Sequence, residues 1–285
     1  MKIHLDCIPC FQRQALQAVR FVTNDEIKQE EILRKVISEL LKSDWKKTPP
    51  EIARIVHKIV KEMTGDTDPY KSVKKKYNDL ALKMYTNLKE MVNDSDDPVL
   101  KAVKLSIAGN VIDFGAKSDF DLNETILEVI NKELKINDFS NLINSLEESK
   151  SITYILDNTG EIVFDKLLLE TILGRYNIEK ISFAVKGAPI INDATQEDAE
   201  YVGLNKLPNI EFIHVNIGLP GTGYERWGEE FINKIRKNDL MISKGQGNYE
   251  ALSNQKNIFF LLMAKCPVIA KDLEVDIGDI ILKKS

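Results

Sequence analysis

The sequence lacks several features that define common classes of protein. It holds only three cysteines in 285 residues, and this odd count fits a reducing cytoplasm better than a disulfide framework. No stretch approaches the ~18 apolar residues of a membrane span. Charged residues and Pro9 interrupt the first segment, so we do not expect a signal peptide. These absences predict a cytoplasmic protein with no membrane partner.

Strongly basic stretches and the common phosphate-binding motifs are also missing. The formal net charge is -5, and the most basic stretch, residues 71–76, is typical of a solvated helix face, so we expect no nucleic-acid partner. The P-loop pattern Gly-x-x-x-x-Gly-Lys-Ser/Thr is absent. The haloacid dehalogenase pattern Asp-x-Asp-x-Thr/Val is not met, because Asp157-Asn158-Thr159 lacks the second aspartate.

The cysteines do not form a recognisable zinc motif. Cys7 and Cys10 have the spacing of half a zinc knuckle, but the chain has no second pair, and Cys266 is distant in sequence. A buried or redox-silent thiol pair is therefore favoured over a metal site here.

What is present predicts an α/β protein with two regions. Hydrophobic residues make up 43% of the chain and charged residues 29%, which is typical of a globular protein. Residues 1–150 show helical apolar spacing, whereas residues 151–285 alternate apolar strands with helices. This alternation predicts a Rossmann-like three-layer α/β/α domain with a mostly parallel sheet, against which the helical N-terminal region packs.

The predicted elements are as follows. The helices of the first region are 11–20, 27–41, 50–63, 73–92 and 98–108, separated by loops. The strands of the second region are 152–156, 180–185, 210–215, 240–242 and 258–262, and 280–282 is predicted to be an antiparallel edge strand. Its helices are 162–173, 197–202, 229–237 and 248–252.

The most informative segment is Asp157-Asn158-Thr159-Gly160-Glu161, which follows an apolar strand. The carboxyl end of a parallel strand is where open α/β sheets place their ligands, and carboxylate and amide oxygens are ligands for hard divalent cations. The alternative is helix capping, with Asn158 as the N-cap residue and Glu161 as its reciprocal partner. Capping does not explain Asp157, which would be costly to half-bury without a partner such as a cation.

A second polar segment, residues 185–194, follows the next strand. Asp193 is either a helix cap or a second acidic group at the same sheet edge as Asp157. Like charges this close repel strongly unless a cation lies between them. Lys186 is interpreted either as a surface residue or as a group that neutralises phosphate.

A third segment, residues 242–250, contains Lys244, Gly245, Gly247 and Asn248. The two glycines let the backbone approach a ligand closely, and Lys244 would supply a point charge to a phosphate. The alternative is an ordinary glycine-rich turn. We favour phosphate binding because of where the strand ends.

Two further segments are candidates for the site. Asn110 and Asp113 are polar residues in an apolar stretch of the helical region, close to a possible C-cap at Gly109. Residues 218–227 are interpreted either as a flexible loop or as a lid over the site.

These segments resemble the damage-control phosphatases, the family also called domain of unknown function 89. Cys7-Ile8-Pro9-Cys10 resembles its archaeal and bacterial branch. The segments 108–113, 156–161, 186–193 and 244–248 match motifs of that family in its order.

The resemblance implies metal-dependent hydrolysis of phosphate monoesters such as sugar phosphates and damaged phosphometabolites, an activity in metabolite repair. It implies manganese or nickel as the metal, with cobalt or magnesium as alternatives. The implied metal ligands fall on Asp157, Asn158 and Asp193, and the implied phosphate-binding lysine falls on Lys244. Asn110 and Asp113 match the site motif of the helical region.

The resulting hypothesis is a single cation site with a set of surrounding groups. Asp157, Asp113 and Lys244 are the expected catalytic residues, with Asp113 as a candidate general base. The expected substrate-binding residues are Asn110, Lys186, Lys244, Gly245 and Asn248. The partner is a small phosphate ester. There are two alternative functions. The first is a methyltransferase that uses S-adenosylmethionine, but the segment after the first strand has only one glycine, which argues against it. The second is a non-catalytic protein that binds sugar phosphate or metal.

Overall fold

The computed structural model describes residues 1–111, 119–215 and 229–285. Within these residues the helices are α1 (Cys7–Val22), α2 (Glu26–Lys42), α3 (Pro49–Thr64), α4 (Lys71–Asn93), α5 (Pro98–Ala108), α6 (Asp119–Asn131), α7 (Phe139–Glu148), α8 (Glu161–Leu173), α9 (Gln196–Tyr201), α10 (Glu229–Ile235), α11 (Gln246–Leu252) and α12 (Pro267–Leu273). The strands are β1 (Leu134–Asn137), β2 (Ser151–Ile155), β3 (Lys180–Lys186), β4 (Ile210–Val215), β5 (Leu240–Lys244), β6 (Ile258–Met263) and β7 (Ile280–Lys284).

Local sequence signals set the ends of several helices. α3 begins with proline in its first turn and with a capping box between Thr48 and Glu51, and it ends at Gly65, whose φ is +74°. α5 begins with Pro98, and the side chain of Asp97 accepts a hydrogen bond from the backbone N–H of Leu100. These signals explain why the predicted bounds of both helices lie within one residue of the observed ones.

The seven strands form one sheet in the order β1-β7-β6-β5-β2-β3-β4. All neighbouring strands are parallel except β6 and β7, which are antiparallel. After β2 the chain continues to β3 and β4 on one side, and later to β5 and β6 on the other. The order therefore reverses between β2 and β5, which makes this the switch point of the sheet.

The predicted α/β fold with a mostly parallel sheet is confirmed, with one correction. β7 is antiparallel to its neighbour, as predicted, but it is not the edge of the sheet, because β1 pairs with it from outside. We predicted only helices and loops for residues 1–150, and β1 lies among them. Four residues are too short a run for hydrophobic periodicity to identify as a strand.

Alternate residues of the strands pack into two cores, one on each face of the sheet. Ile152 and Tyr154 of β2 face a core shared with α4, α5 and α8. Ile155 of the same strand faces a core shared with α11 and α12. A third, smaller core lies among α1, α2 and α3. In the part of the chain that the structure describes, no helix has the length and apolar character needed to cross a membrane.

Candidate functional site

The carboxyl ends of β2, β3 and β5 lie side by side at the switch point of the sheet. β2 pairs with β3 on one side and with β5 on the other. Asp157 follows β2, Lys186 ends β3, and Lys244 ends β5. The three polar segments that the sequence singled out are therefore neighbours in space, although they are far apart along the chain.

Backbone hydrogen bonds join the segment after β2 to the segment after β3. The N–H of Ala194 donates to the carbonyl of Asp157 at 2.7 Å, and the N–H of Thr159 donates to the carbonyl of Asn192 at 2.9 Å. Asn158 and Asp193 form an isolated antiparallel bridge between them. These bonds hold Asp157, Asn158 and Asp193 in one short stretch of paired backbone.

Asp157 lies in a buried and strongly acidic environment. Its side chain is only 8% exposed. Burial, followed by the charges of Glu161 and Asp193, raises the pKa of Asp157 well above its usual range, and Lys186 and Lys265 oppose this only in part. The carboxylate accepts a hydrogen bond from Nδ2 of Asn158 at 2.8 Å. At Asp157, burial and the neighbouring carboxylates therefore outweigh the effect of the nearby lysines.

Neither capping alternative agrees with the structure. The N-cap residue of α8 is Gly160, with no side-chain cap, so Asn158 does not have that role. The N-cap residue of α9 is Thr195, which forms a capping box with Asp198, so Asp193 does not cap this helix. Neither side chain is therefore used to cap these helices.

Gly245 allows the segment after β5 to pass directly against Asp157. Its φ is +79°, and a Cβ atom built on it would lie 1.8 Å from Oδ2 of Asp157. No other residue type fits here, because a side chain would overlap the carboxylate and the backbone conformation is one that glycine favours. The structure thus gives Gly245 a steric role beside the predicted metal ligand.

Lys186 and Asn248 connect the three strand ends. Nζ of Lys186 lies 3.3 Å from Oδ2 of Asp193, and it donates to Oδ1 of Asn248 at 3.4 Å. Nδ2 of Asn248 donates to the carbonyls of Leu156 at 3.0 Å and Lys244 at 2.8 Å. Lys186 is only 5% exposed, so its interpretation as an ordinary surface lysine is wrong.

These side chains line a cavity of about 270 Å³. Asp157, Lys186, Asp193 and Asn248 form one part of its wall. The remaining wall comes from α1, α3, the segment before Asp193, α11 and the start of α12. Two acidic groups and a lysine therefore line the same cavity.

Lys244 is directed away from this cavity into the core. It is fully buried and is not among the residues that line the cavity. Its amine donates to Oε1 of Glu161 at 2.7 Å, to Oδ1 of Asp165 at 2.8 Å and to the carbonyl of Ser106 at 2.8 Å. Since an ammonium group has three donors, these oxygens use all of them. The expected binding of phosphate by Lys244 stays a prediction, and it would require this amine to leave its partners.

The same buried network includes Asn110. Its Nδ2 donates to Oε2 of Glu161 at 2.7 Å, and its side chain is 4% exposed. A Cβ atom on the preceding Gly109 would lie 3.0 Å from the ring of Phe164, so the absence of a side chain lets α5 approach α8 closely. Asn110 therefore reaches the site through Glu161, and its expected contact with substrate stays a prediction. Asp113 and the possible lid at 218–227 lie outside the described residues.

Three residues near the site were not predicted to take part in it. Glu161, considered only as a capping partner, binds Lys244 and Asn110, and its Oε2 lies 3.4 Å from Nδ2 of Asn158. Asp165 is fully buried, and burial raises its pKa to about 6. Oδ1 of Asn78 accepts a hydrogen bond from the N–H of Gly160 at 2.7 Å.

The sequence contains a signal for the first two of these residues but none for the third. Glu161 and Asp165 are four residues apart on a helix and so share one face, and this face meets Lys244. Asn78 is one polar residue in a long, lysine-rich helix, and nothing local distinguishes it.

The cysteines are at the cavity but do not form a metal cluster with other residues. All three cysteines of the chain, Cys7, Cys10 and Cys266, line the cavity. Cys10 is exposed and Cys7 is only partly buried, so the expectation of a buried thiol pair is wrong, and the alternative of a redox-silent pair stays a prediction. Partial desolvation nevertheless raises the pKa of both thiols. Within residues 1–111, 119–215 and 229–285 no group of three or more His, Cys, Asp and Glu side chains is arranged to hold a metal ion.

Comparisons with known proteins assign the chain to a family. Residues 3–281 match the damage-control phosphatase ARMT1-like domain. The chain is 36% identical over 296 residues to an uncharacterized protein of Methanocaldococcus jannaschii, a match that covers 100% of this chain and 96% of the relative. It is 35% identical over 294 residues to a damage-control phosphatase of Archaeoglobus fulgidus, a match that covers 99% of each chain.

A solved structure is similar over the whole fold. It is the 2.04 Å crystal structure of a DUF89 family protein from Pyrococcus horikoshii, with a TM-score of 0.87 and 33% sequence identity. The similarity covers 100% of this chain and 99% of that one.

Proposed function

This chain belongs to the damage-control phosphatase ARMT1-like family, and we propose that it is a metal-dependent phosphatase that hydrolyses small phosphate monoesters. The family match and the relative named a damage-control phosphatase support the phosphatase activity. The metal dependence and the class of substrate are our own proposals. They rest on the geometry at the carboxyl edge of the sheet.

The observation that carries the proposal is the convergence of two carboxylates on one cavity. Asp157 and Asp193 follow consecutive strands, lie on segments joined by backbone hydrogen bonds, and line the same cavity. Lys186 lies beside Asp193, and so a positive group adjoins the acidic pair. This combination suits a divalent cation together with the anion that the cation binds.

The residues present fit a divalent cation. The raised pKa of Asp157 arises from burial and from the neighbouring carboxylates, and a bound cation would relieve this repulsion. The ligands would be the carboxylates of Asp157 and Asp193 and the amide oxygen of Asn158, an oxygen set that suits manganese or magnesium; nickel and cobalt are the other candidates. When bound, the ion would supply Lewis-acid polarisation of a phosphoryl oxygen.

The remaining residues would position and neutralise the phosphate. Phosphoryl transfer depends mainly on positioning and on charge stabilisation. Lys186 is the lysine of the described residues that both lines the cavity and lies beside the acidic pair, so we assign it the role of a phosphate-neutralising group. Asn248 would hold Lys186 and the ends of β2 and β5 in register. Lys244 would hold α8 against β5 through Glu161 and Asp165.

Hydrolysis of p-nitrophenyl phosphate tests the proposal. The protein is treated with a chelator and then supplied with Mn²⁺, Ni²⁺, Co²⁺ or Mg²⁺ in turn. We expect no turnover without metal, and the Asp157→Ala and Asp193→Ala variants should lose the metal-dependent activity. Asp96→Ala is the control, because Asp96 is an exposed carboxylate between α4 and α5.

Two results would overturn the proposal. Undiminished turnover by Asp157→Ala would remove the assigned metal site. Saturable binding of metal and phosphate esters with no release of phosphate under any metal would indicate a binding protein instead of an enzyme.

A further inference from the structure

Glu161, the first residue of α8, connects the expected metal ligand Asn158 to the buried interior. Oε2 of Glu161 lies 3.4 Å from Nδ2 of Asn158, and it accepts a hydrogen bond from Nδ2 of Asn110 at 2.7 Å. Its Oε1 accepts a hydrogen bond from Nζ of Lys244 at 2.7 Å. The side chain of Glu161 is only 1% exposed, so protein groups hold this carboxylate in place.

The amide group of Asn158 is oriented by two carboxylates. Its nitrogen donates to Oδ2 of Asp157 at 2.8 Å and makes the longer contact with Oε2 of Glu161. An amide nitrogen carries two hydrogens, whereas an ionised carboxylate only accepts, so the nitrogen end of the amide faces this pair. The amide oxygen Oδ1 therefore points away from both carboxylates. Among the residues that the structure describes, no donor binds Oδ1 of Asn158.

Glu161 differs from Asp157 in what else its carboxylate can bind. Asp157 lines the cavity and is itself an expected metal ligand, so a bound ion would compete for its oxygens. Glu161 does not line the cavity, and neither do its partners Asn110 and Lys244. Its carboxylate therefore offers Asn158 an acceptor that a bound ion does not take away. Carboxylates in this position fix the orientation of metal ligands in other proteins.

From these contacts we propose that Glu161 is a positioning residue that directs the amide oxygen of Asn158 toward the metal ion. This inference rests on the proposed function, because it takes Asn158 as a metal ligand. Lys244 and Asn110 contribute indirectly, by holding Glu161 in place.

The affinity of the protein for Mn²⁺ tests the proposal. Glu161→Gln leaves one acceptor oxygen and one NH₂ group to face three donors. The oxygen is expected to stay with Lys244, because a charged donor forms the stronger hydrogen bond, and the NH₂ group then faces the nitrogen of Asn158. We expect the dissociation constant for Mn²⁺, measured by electron paramagnetic resonance of the free ion, to rise about 10–100-fold.

Asp165→Asn is the matched control. Asp165 is also a buried acid of α8 that binds Lys244, but it has no hydrogen bond with Asn158. Its Oδ1 accepts hydrogen bonds from Lys244, Ser106 and Tyr154. Its Oδ2 has no partner within the described residues, so an asparagine with its oxygen at Oδ1 keeps all three bonds. Asp165→Asn therefore removes one negative charge beside Lys244 and should leave the dissociation constant for Mn²⁺ nearly unchanged.

Glu161→Asp separates the orientation of Asn158 from the charge beside it. Aspartate keeps the negative charge near Lys244, but its carboxylate is one methylene shorter and withdraws from Asn158. We therefore expect Glu161→Asp to raise the dissociation constant for Mn²⁺ as well. Thermal melting checks that each variant folds, and Glu161→Asp, which keeps the ion pair, decides the question if Glu161→Gln does not fold.

The outcomes separate this inference from the function on which it rests. Weaker Mn²⁺ binding in both Glu161 variants, but not in Asp165→Asn, supports the inference. Unchanged binding in Glu161→Gln, an equal loss in Asp165→Asn, or full binding in Glu161→Asp overturns it while the phosphatase assignment stands. If the unchanged protein neither binds Mn²⁺ nor releases phosphate from p-nitrophenyl phosphate with any metal, the proposed function fails and the inference fails with it.

Discussion

Replacing Gly245 by alanine should disable the site through one added methyl group. The new Cβ would lie 1.8 Å from Oδ2 and 2.3 Å from Cγ of Asp157, and real Cβ contacts essentially never fall below 3.0 Å. The carboxylate must therefore move by roughly an ångström. A misplacement of about 1 Å can cost on the order of 100-fold in rate, so we expect kcat/KM for p-nitrophenyl phosphate to fall by about this factor. The residue also has φ +79° and ψ 166°, a region essentially restricted to glycine that costs about 1–3 kcal/mol otherwise.

Gly65→Ala is a control that places alanine at a positive φ without a steric clash. Gly65 has φ +74°, and a Cβ atom on it would meet nothing within 4 Å. Both variants should lower the melting temperature, but only Gly245→Ala should lose activity and require more metal for half-maximal turnover. If Gly245→Ala keeps the kcat/KM of Gly65→Ala, the contact with Asp157 does not control the site and the reasoning is refuted.

Three further outcomes follow from the buried polar groups. Lys244→Met leaves the buried carboxylates of Glu161 and Asp165 without their cation, so the free energy of unfolding in urea should fall by about 3–5 kcal/mol. A fall no larger than that caused by replacing an exposed lysine would contradict the role of Lys244 in this network. Asn78→Ala removes the acceptor for the N–H of Gly160, which should lower the free energy of unfolding by about 1–3 kcal/mol and raise the Mn²⁺ concentration needed for half-maximal turnover. Asn78→Asp should restore part of the stability and part of the metal affinity. An Asn78→Ala variant with the same Mn²⁺ requirement as the unchanged protein would contradict this. Burial raises the pKa of Glu250 from 4.5 to about 7. The stability that its neutral carboxyl group contributes is therefore present below pH 4.5 and is lost as the pH rises to 7, by up to about 3 kcal/mol. Glu250→Gln should flatten the dependence of the melting temperature on pH, and an unchanged dependence would contradict the assignment.

The parts of the fold that were predicted correctly are those in which local sequence and burial agree. β2, β3, β5 and β6 are covered on both faces, so they appear as continuous apolar runs with clear ends. α5 was predicted with its observed bounds because proline begins it and glycine follows it. β1 was missed because its identity as a strand depends on pairing with β7, which is 146 residues away at Leu134 and Ile280.

In the site, the sequence was sufficient to predict which residues lie close together, but it was less informative about where each side chain points. Asp157 and Asp193 were predicted to lie at the same edge of the sheet, and they line one cavity there. Lys244 was expected beside a phosphate, although strand alternation indicates otherwise. Leu240 and Ile242 pack on the face of the sheet covered by α8, and a period of two places Lys244 on the same face. A lysine is rarely buried unless it is paired, and the paired acids of α8 allow the burial of Lys244.

The outer position of β1 has a consequence for fragments of this protein. A truncated chain that begins at residue 151 would retain β7 but lose the strand that covers its outer side. Ile280, Ile281 and Leu282 are all fully buried in the intact protein. An uncovered apolar strand offers unpaired N–H and C=O groups to other chains, so such a fragment should self-associate when it is expressed without the preceding residues.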